Sequence, residues 1–454
     1  MIAGVVEGFY GRPWNARQRH QLFGWMKEGG LNTYLYAPKD DRKHRSRWRE
    51  EYDTGQEAEL GALLRDCQRH QIDFVYAIAP GLDIRFTSDS DRTALESKLV
   101  QIARLGVRRF ALLFDDIPAV LHPEDQARFP SHAHAQSETA NRLREALQRI
   151  CSDSSLWFCP TEYCGRMAGN RPADSPYLRV LGERLHPEIA IFWTGREIIA
   201  ETLGGPEIEE LAQVLRRKPL IWDNLWANDY DVRRVHLGPF TGRDASLAHR
   251  CSGIVINPNC EFEANFMPIM TFARWCANPS SYQPDEAFTE AATAWTRLFN
   301  AGSRHEISAE DVSWLAEHFY LPYQPGPAGR ELWQSIEQAL HAPSPVNPAT
   351  RSKLERTLQR LTEIQQKLGE LENRDLLLAL YRPVWDLKEC LLFLTQYLAW
   401  RDADGQSTFT SADHAPELLR GGLIAALQSC LNRGPDGSVA VNPARFFPGT
   451  AGTA

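Results

Sequence analysis

One recurrence restricts the fold of this chain more than any other feature. Across about the first 260 residues, a short apolar, β-rich run ending in a polar or Gly/Pro cluster is followed by a helical stretch, eight times over. The runs are Ile2 to Val6, Leu31 to Tyr36, Phe74 to Ala79, Phe110 to Phe114, Leu156 to Cys159, Ala190 to Phe192, Leu220 to Trp222 and Ile254 to Ile256. Between them apolar residues recur at helical spacing, as in Glu57 to Arg69 (Leu60, Leu63, Leu64, Cys67) and Arg92 to Leu105 (Leu95, Leu99, Ile102, Ala103). Continuous apolar strands have no face to give to water, so they belong to a parallel sheet covered by helices. Eight such units in this length predict an α/β fold of the (β/α)8 barrel type.

Each run is followed by chemistry-bearing residues: Glu7-Gly8-Phe9-Tyr10-Gly11, Ala37-Pro38-Lys39-Asp40-Asp41, Pro80-Gly81-Leu82-Asp83, Asp115-Asp116, Pro160-Thr161-Glu162-Tyr163, Thr194-Gly195, Asp223-Asn224 and Asn257-Pro258-Asn259. In a parallel barrel these eight C-terminal strand ends share one rim, where active sites are built. From about residue 280 the pattern turns helical throughout. Asn347-Pro348 reads as an N-cap followed by Pro at the first helical position, and Leu354, Leu358, Leu361, Ile364, Leu368 and Leu371 then follow at spacings of three and four. A second long helix is expected from Arg374 to Arg401, bent near Pro383, and a third from Glu417 to Leu431. The expected organisation is a catalytic barrel over 1–280, a helical bundle over 281–434 and an irregular tail over 435–454. The apolar seam of the long helix also suits self-association.

Composition narrows the partners. With 50 Lys+Arg against 58 Asp+Glu, a formal net charge of −8 and no basic tail, the chain lacks the clustered positive charge that nucleic acid or an anionic membrane demands. A small or neutral substrate fits better. Nine Cys, odd in number and without a CxxC pair, match neither a disulfide framework nor a zinc site, and are expected as reduced, mostly buried thiols. The start at Met1-Ile2-Ala3-Gly4 shows no basic n-region, and no apolar run of 18 residues occurs. A cytoplasmic protein is therefore expected.

The sharpest local feature is Leu112-Leu113-Phe114-Asp115-Asp116. Two adjacent carboxylates at the end of a buried strand repel one another when both are ionised, so one is expected to titrate high and to serve as a proton donor near neutrality. A helix N-cap, a metal-ligand pair and a solvated loop are the structural alternatives. Adjacent residues cannot easily straddle a glycosidic bond as the paired carboxylates of conventional glycosidases do. They do suit a 2-acetamido sugar whose own carbonyl oxygen attacks the anomeric carbon: one Asp accepts the acetamido N–H, and its neighbour protonates the leaving oxygen. Around them, Trp222 offers a flat apolar face, Asp223, Asn224, Asp229 and Asn257 offer partners for hydroxyl groups, Lys39 a donor, and Tyr163 a phenol for the acetamido group. His132-Ala133-His134 has the HxH spacing of metal-dependent hydrolases, but it follows Pro130-Ser131 and precedes a helical pattern instead of ending a strand. No metal and no cofactor are expected.

These segments resemble glycoside hydrolase family 84. The likeness is carried by Gly4-Val5-Val6-Glu7-Gly8-Phe9-Tyr10-Gly11-Arg12-Pro13-Trp14, by Leu31-Asn32-Thr33-Tyr34-Leu35-Tyr36-Ala37-Pro38-Lys39-Asp40-Asp41, by Phe114-Asp115-Asp116 and by Cys159-Pro160-Thr161-Glu162-Tyr163-Cys164-Gly165. Trp222-Asp223-Asn224, Asn228-Asp229-Tyr230 and Asn257-Pro258-Asn259-Cys260-Glu261-Phe262-Glu263-Ala264-Asn265 extend it to about residue 277, and a weaker likeness to the family's stalk domain lies beyond 280. The resemblance implies a retaining β-N-acetylglucosaminidase that removes O-linked N-acetylglucosamine from Ser or Thr of proteins through an oxazoline intermediate. It makes Asp115 the carboxylate that orients the acetamido group and Asp116 the general acid/base. Gly8 (through its carbonyl), Lys39, Asn224, Asp229 and Asn257 would hold the sugar, with Tyr163 and Trp222 completing the pocket. It also implies a homodimer formed through the helical domain. Two alternatives stand beside this reading: the same chemistry on another N-acetylhexosaminide glycan, and a catalytically silent sugar-binding module, which has no use for a general acid.

Overall fold

The structure is a computed structural model that describes residues 1–118, 120–300, 306–341, 343–403, 409, 431–433 and 439–441. Eight parallel strands close into a barrel in sequence order: β1 (Ile2–Glu7), β2 (Thr33–Tyr36), β3 (Asp73–Ile78), β4 (Arg109–Leu113), β5 (Ser155–Cys159), β6 (Ala190–Trp193), β7 (Leu220–Asp223) and β8 (Gly253–Ile256). Closure is made by β1 lying between β2 (Gly4 opposite Thr33) and β8 (Ile2 opposite Gly253). The eight expected runs are these strands, with ends displaced by at most two residues. Side-chain alternation explains the uninterrupted apolar runs. Leu35 and Ala37, Val75 and Ala77, Ala111 and Leu113, and Trp157 and Cys159 belong to the packed interior cluster, while the residues between them, such as Tyr34, Tyr76, Leu112 and Phe158, are equally buried beneath the helices.

The helices between the strands are α1 (Ala16–Glu28), α2 (Thr54–Arg69), α3 (Asp89–Arg104), α4 (Pro123–Arg128), α5 (His132–Ile150), α6 (Pro176–Arg184), α7 (Gly205–Leu215) and α8 (Leu247–Arg250). Their starts are written in side chains. Asn15 and Asp53 form capping boxes with Gln18 and Gln56, and Ser175 caps α6 with Pro176 at its first position. Glu7, at the end of β1, is fully buried and shows how the rim is underpinned. Its carboxylate accepts from Arg19 (2.8 and 2.9 Å), from the Trp14 amide (3.0 Å) and from the Tyr34 hydroxyl.

Beyond the barrel lie α9 (Phe266–Ala277), α10 (Pro284–Trp295), α11 (Ala309–His318), α12 (Pro327–His341), α13 (Pro348–Gly369) and α14 (Arg374–Ala403), followed by the short antiparallel strands β9 (Leu431–Arg433) and β10 (Val439–Val441). The chain divides into two compact units, one of Met1–Trp333 with Leu361–Trp385, the other of Gln334–Arg360 with Asp386–Ala454. In the first, Lys367 pairs with Asp311 at 2.8 Å. In the second, Asp402 accepts from Ser344 (3.0 Å), from the Val346 amide (2.9 Å) and from Arg351. Asn347 accepts from the Ala349 amide at 2.8 Å, so the expected N-cap before Pro348 is formed. Leu354, Leu361, Ile364, Leu368 and Leu371 are buried within the chain itself, which leaves those positions of the seam nothing to offer a second copy. The second long helix contains Pro383 within its span. The helix expected over Glu417 to Leu431 lies outside the described residues except for Leu431, which begins β9. No helix among the described residues is long and apolar enough to cross a membrane.

Strand contact is tightest where side chains are absent. A Cβ built on Gly4 would stand 1.9 Å from the Thr33 carbonyl oxygen, so β1 and β2 can pair there only with a glycine. Gly4→Ala is expected to destabilise the barrel by about 1–3 kcal/mol, read as a lowered urea midpoint.

Candidate active site

The rim at the C-terminal ends of the strands opens into a cavity of about 690 Å³. Asp115 and Asp116 enter it from the end of β4. The Phe114 amide still bonds to the Cys159 carbonyl at 2.9 Å, and two residues later the backbone leaves the sheet, with Asp116 in the left-handed region at φ 50°. That conformation is uncommon for a residue with a side chain, and Asp is among those that tolerate it. It turns the two neighbouring carboxylates to different surroundings.

Asp115 is buried and faces cations. The Lys39 ammonium, itself only 4% exposed, donates to its Oδ2, and the Arg45 guanidinium lies 3.8 Å from the same oxygen. Burial pushes the carboxyl up, but Lys39 and then Arg45 outweigh it and hold it below the usual carboxylate range. Its other oxygen, Oδ1, is buried and has no hydrogen-bond partner among the described residues. Asp116 meets phenols instead. The Tyr163 hydroxyl donates to its Oδ1 at 2.7 Å and the Tyr10 hydroxyl to its Oδ2 at 3.0 Å. Burial and the adjacent Asp116 carboxylate push both phenols well above their ordinary range, so both stay protonated donors. The expected mutual repulsion of the dyad therefore does not govern Asp115: the carboxylate that the sequence sets against its neighbour is neutralised by a lysine from the segment after β2.

The opposite wall is a polar cradle from β7 and β8. Asn224 Oδ1 accepts from Trp222 Nε1 (3.1 Å) and from Asn257 Nδ2 (2.9 Å), and its own amide donates to the Ile198 carbonyl at 2.8 Å. This fixes both amides, and Asn257 Oδ1 is left without a protein partner. Gly8 closes the side toward β1. A Cβ there would lie 2.4 Å from the Trp222 ring, so the indole reaches the strand end because residue 8 has no side chain. Asp229 accepts the Tyr10 amide at 2.8 Å, on a loop tied down by Asn228, whose side chain bonds Glu261 (2.6 Å), the Arg234 carbonyl (2.7 Å) and the Cys260 amide (2.8 Å).

Nine of the ten expected site residues thus line one cavity: Gly8, Lys39, Asp115, Asp116, Tyr163, Trp222, Asn224, Asp229 and Asn257. Asp223 does not. It is fully buried, and Arg243 binds both of its oxygens at 2.6 and 2.8 Å. Adjacent strand residues point to opposite faces, so Trp222 facing the interior sends Asp223 outward to pair beneath the rim. The Tyr163 hydroxyl, expected to serve the acetamido group, is bonded to Asp116. Among residues without an assigned role in the sequence, Tyr10 joins the cavity, together with Arg166, Glu197 and Tyr323. Tyr10 had a signal, its place in the first strand-end cluster. Arg45, by contrast, lies in a turn four residues past Asp41, the end of its strand-end cluster, among other charged residues. His132 and His134 line a separate hollow with Glu162 and Tyr177. Among the described residues, the three side chains near enough to share a metal ion are His20, Asp66 and His70, elsewhere on the barrel's helices.

A cavity at a barrel rim with adjacent carboxylates, one held ionised and one hydrogen-bonded to phenols, beside a tryptophan and a pair of amides, matches the arrangement expected of a glycoside hydrolase of this fold. A profile of the β-N-acetylglucosaminidase family matches residues 3–308, and the chain belongs to that family. Its relatives include the protein O-GlcNAcases of Mus musculus and Rattus norvegicus, each 43% identical over 340 residues. The match takes in 71% of this chain and 37% of each relative, so the chain matches little more than a third of their length. Among solved structures, a mutant of the O-GlcNAc hydrolase of Thermobaculum terrenum superposes with a TM-score of 0.77 at 27% identity, covering 88% of this chain and 84% of that one.

The Asp223–Arg243 pair generates a stability prediction. Asp223→Ala leaves a buried guanidinium without its carboxylate and is expected to cost about 3–5 kcal/mol, measured by chemical denaturation.

Proposed function

We propose that the chain is a retaining β-N-acetylglucosaminidase that uses the substrate's own acetamido group as nucleophile and acts on N-acetylglucosamine O-linked to Ser or Thr. The observation that carries this is Asp115, a cavity-lining carboxylate kept ionised by Lys39 beside a second carboxylate, whose buried Oδ1 has no donor among the described residues. An acetamido N–H is a donor of the right kind for it.

In the first step the acetamido carbonyl oxygen bonds to the anomeric carbon as the bond to the aglycone oxygen breaks, and Asp116 gives its proton to that oxygen. Positive charge grows on the acetamido nitrogen, and Asp115 stabilises it through the N–H, an interaction stronger in the transition state than in the ground state. In the second step Asp116, now a carboxylate, takes a proton from water as the water oxygen attacks the anomeric carbon and the oxazoline opens. Two inversions leave the β-configuration unchanged. Asn224, Asn257 and Asp229 hold the hydroxyl groups, Trp222 packs against the ring, and Tyr163 and Tyr10 set the direction of Asp116. A protein substrate is supported by the names of the relatives. A cytoplasmic location and a homodimer through residues 281–434 belong to the same proposal. Leu378 on α14, 70% exposed, supports the dimer.

Hydrolysis of an aryl β-N-acetylglucosaminide but not of the matching β-glucoside is the expected result, because only the first carries the internal nucleophile; equal rates on both would sink the mechanism. Asp116→Asn should cost about 10²- to 10⁴-fold with a poor leaving group and much less with an activated phenol. Asp115→Asn should slow both kinds of substrate, by roughly 10²-fold or more. Since Asp115 titrates below its ordinary range, its ionised form persists to low pH. Activity is expected to fall on the acid side only below the usual carboxylate range of about 4. A panel setting an O-GlcNAc peptide against chitobiose and cell-wall fragments separates the protein substrate from other hexosaminides.

A further inference from the structure

We infer that Arg45, outside every motif that marks the site, is a positioning residue that sets both members of the dyad at once: a charge for Asp115 and a backbone clamp for Asp116. This rests on the reading of the dyad given under the proposed function.

The contacts of Arg45 are divided between the two neighbours. Nη1 lies 3.8 Å from Asp115 Oδ2, on the oxygen that also receives Lys39. Nη2 donates to the main-chain carbonyl of Asp116 at 3.2 Å. That carbonyl belongs to the residue at φ 50°, whose direction decides where the Asp116 carboxyl stands. The guanidinium is 8% exposed, and its carbon lies 5.8 Å from the centre of the Tyr10 ring, whose hydroxyl holds the Asp116 carboxyl. One planar cation therefore reaches a carboxylate, a carbonyl and an aromatic ring. A lysine cannot do this, because its single ammonium has no fork and no plane to lay against the ring.

Other groups around Asp115 do not replace it. Lys39 and His44 approach from the segment after β2, Cys159 from the end of β5, and Tyr10, Tyr163 and Asp116 from the rim. Burial pushes His44 down to about 4, so it is uncharged near neutrality. Lys39 also lies over the Tyr10 ring, 5.6 Å from its centre, but its hydrogen bond goes to the Asp115 carboxylate, and only Arg45 among these groups is bonded to the Asp116 carbonyl. Its removal should have two separable effects. Loss of one cation raises the Asp115 carboxyl, so the acid limb of the rate profile moves to higher pH. Loss of the clamp leaves Asp116 less well directed, so turnover falls whatever the pH.

The test compares wild type, Arg45→Lys and Arg45→Met on an activated aryl β-N-acetylglucosaminide and on an alkyl one, recording kcat, KM and the pH profile, with melting temperatures alongside. Arg45→Met is expected to lose about 10- to 100-fold in kcat, more on the alkyl glycoside, with KM nearly unchanged and the acid limb displaced upward. Arg45→Lys should return the limb toward its wild-type position while leaving kcat low. A folded Arg45→Met with the wild-type limb overturns the inference even if kcat falls, since loss of packing alone does not move the limb. Should Arg45→Met fail to fold, Arg45→Gln takes its place and is judged by the same limb: a limb displaced upward with reduced kcat supports the inference, and an unmoved limb overturns it. A wild-type chain inactive on both glycosides strikes the proposed function instead.

Discussion

A carboxylate that is buried and yet ionised is expensive unless a cation comes with it, and the rim is arranged around one. Asp115 sits at the end of a central strand of the barrel wall, where burial alone favours its neutral form. Lys39 reverses that from two strands away, and Lys39 can do so because the barrel sets the end of β2 near the end of β4. With the charge on Asp115 settled, its neighbour is free for a different task. Asp116 turns out of the sheet into a pair of phenols, and the wall formed by Trp222, Asn224 and Asn257 faces the two from across the cavity.

Much of this was legible in the sequence because a parallel barrel is repetitive. Buried strands read as apolar runs, and the clusters that follow them mark the rim, so nine of the ten expected residues meet in one cavity. Asp223 failed for a reason that one-dimensional reading cannot resolve. It adjoins Trp222 and Asn224, which both face the site, but strand alternation sends it to Arg243, twenty residues on in a loop. Which member of the dyad is held ionised was hidden for a similar reason. Repulsion between neighbours in sequence is visible, whereas the lysine that cancels it comes from the segment after another strand. Arg45 carried no signal, since its turn holds arginines and lysines that make ordinary surface pairs, such as Arg47 with Glu50.

The helical region was legible in a coarser way. Leucine spacing located α13 and its cap, and all of the spaced residues but the half-buried Leu358 are buried within the chain. Periodicity reports that a face is covered, but what covers it is a matter of the folded chain.

The barrel closes by pairing β1 with β8, segments about 250 residues apart in the chain. Lys39, Asp115, Asp116 and Tyr163 are all in place once the first five strands have assembled, whereas the cradle of Trp222, Asn224 and Asn257 and its contact with Gly8 await the last two. The two walls of the cavity thus come from different parts of the chain, and they meet through the closed sheet. A chain shortened before β7 would keep both carboxylates and their cations but none of the residues that form the facing wall.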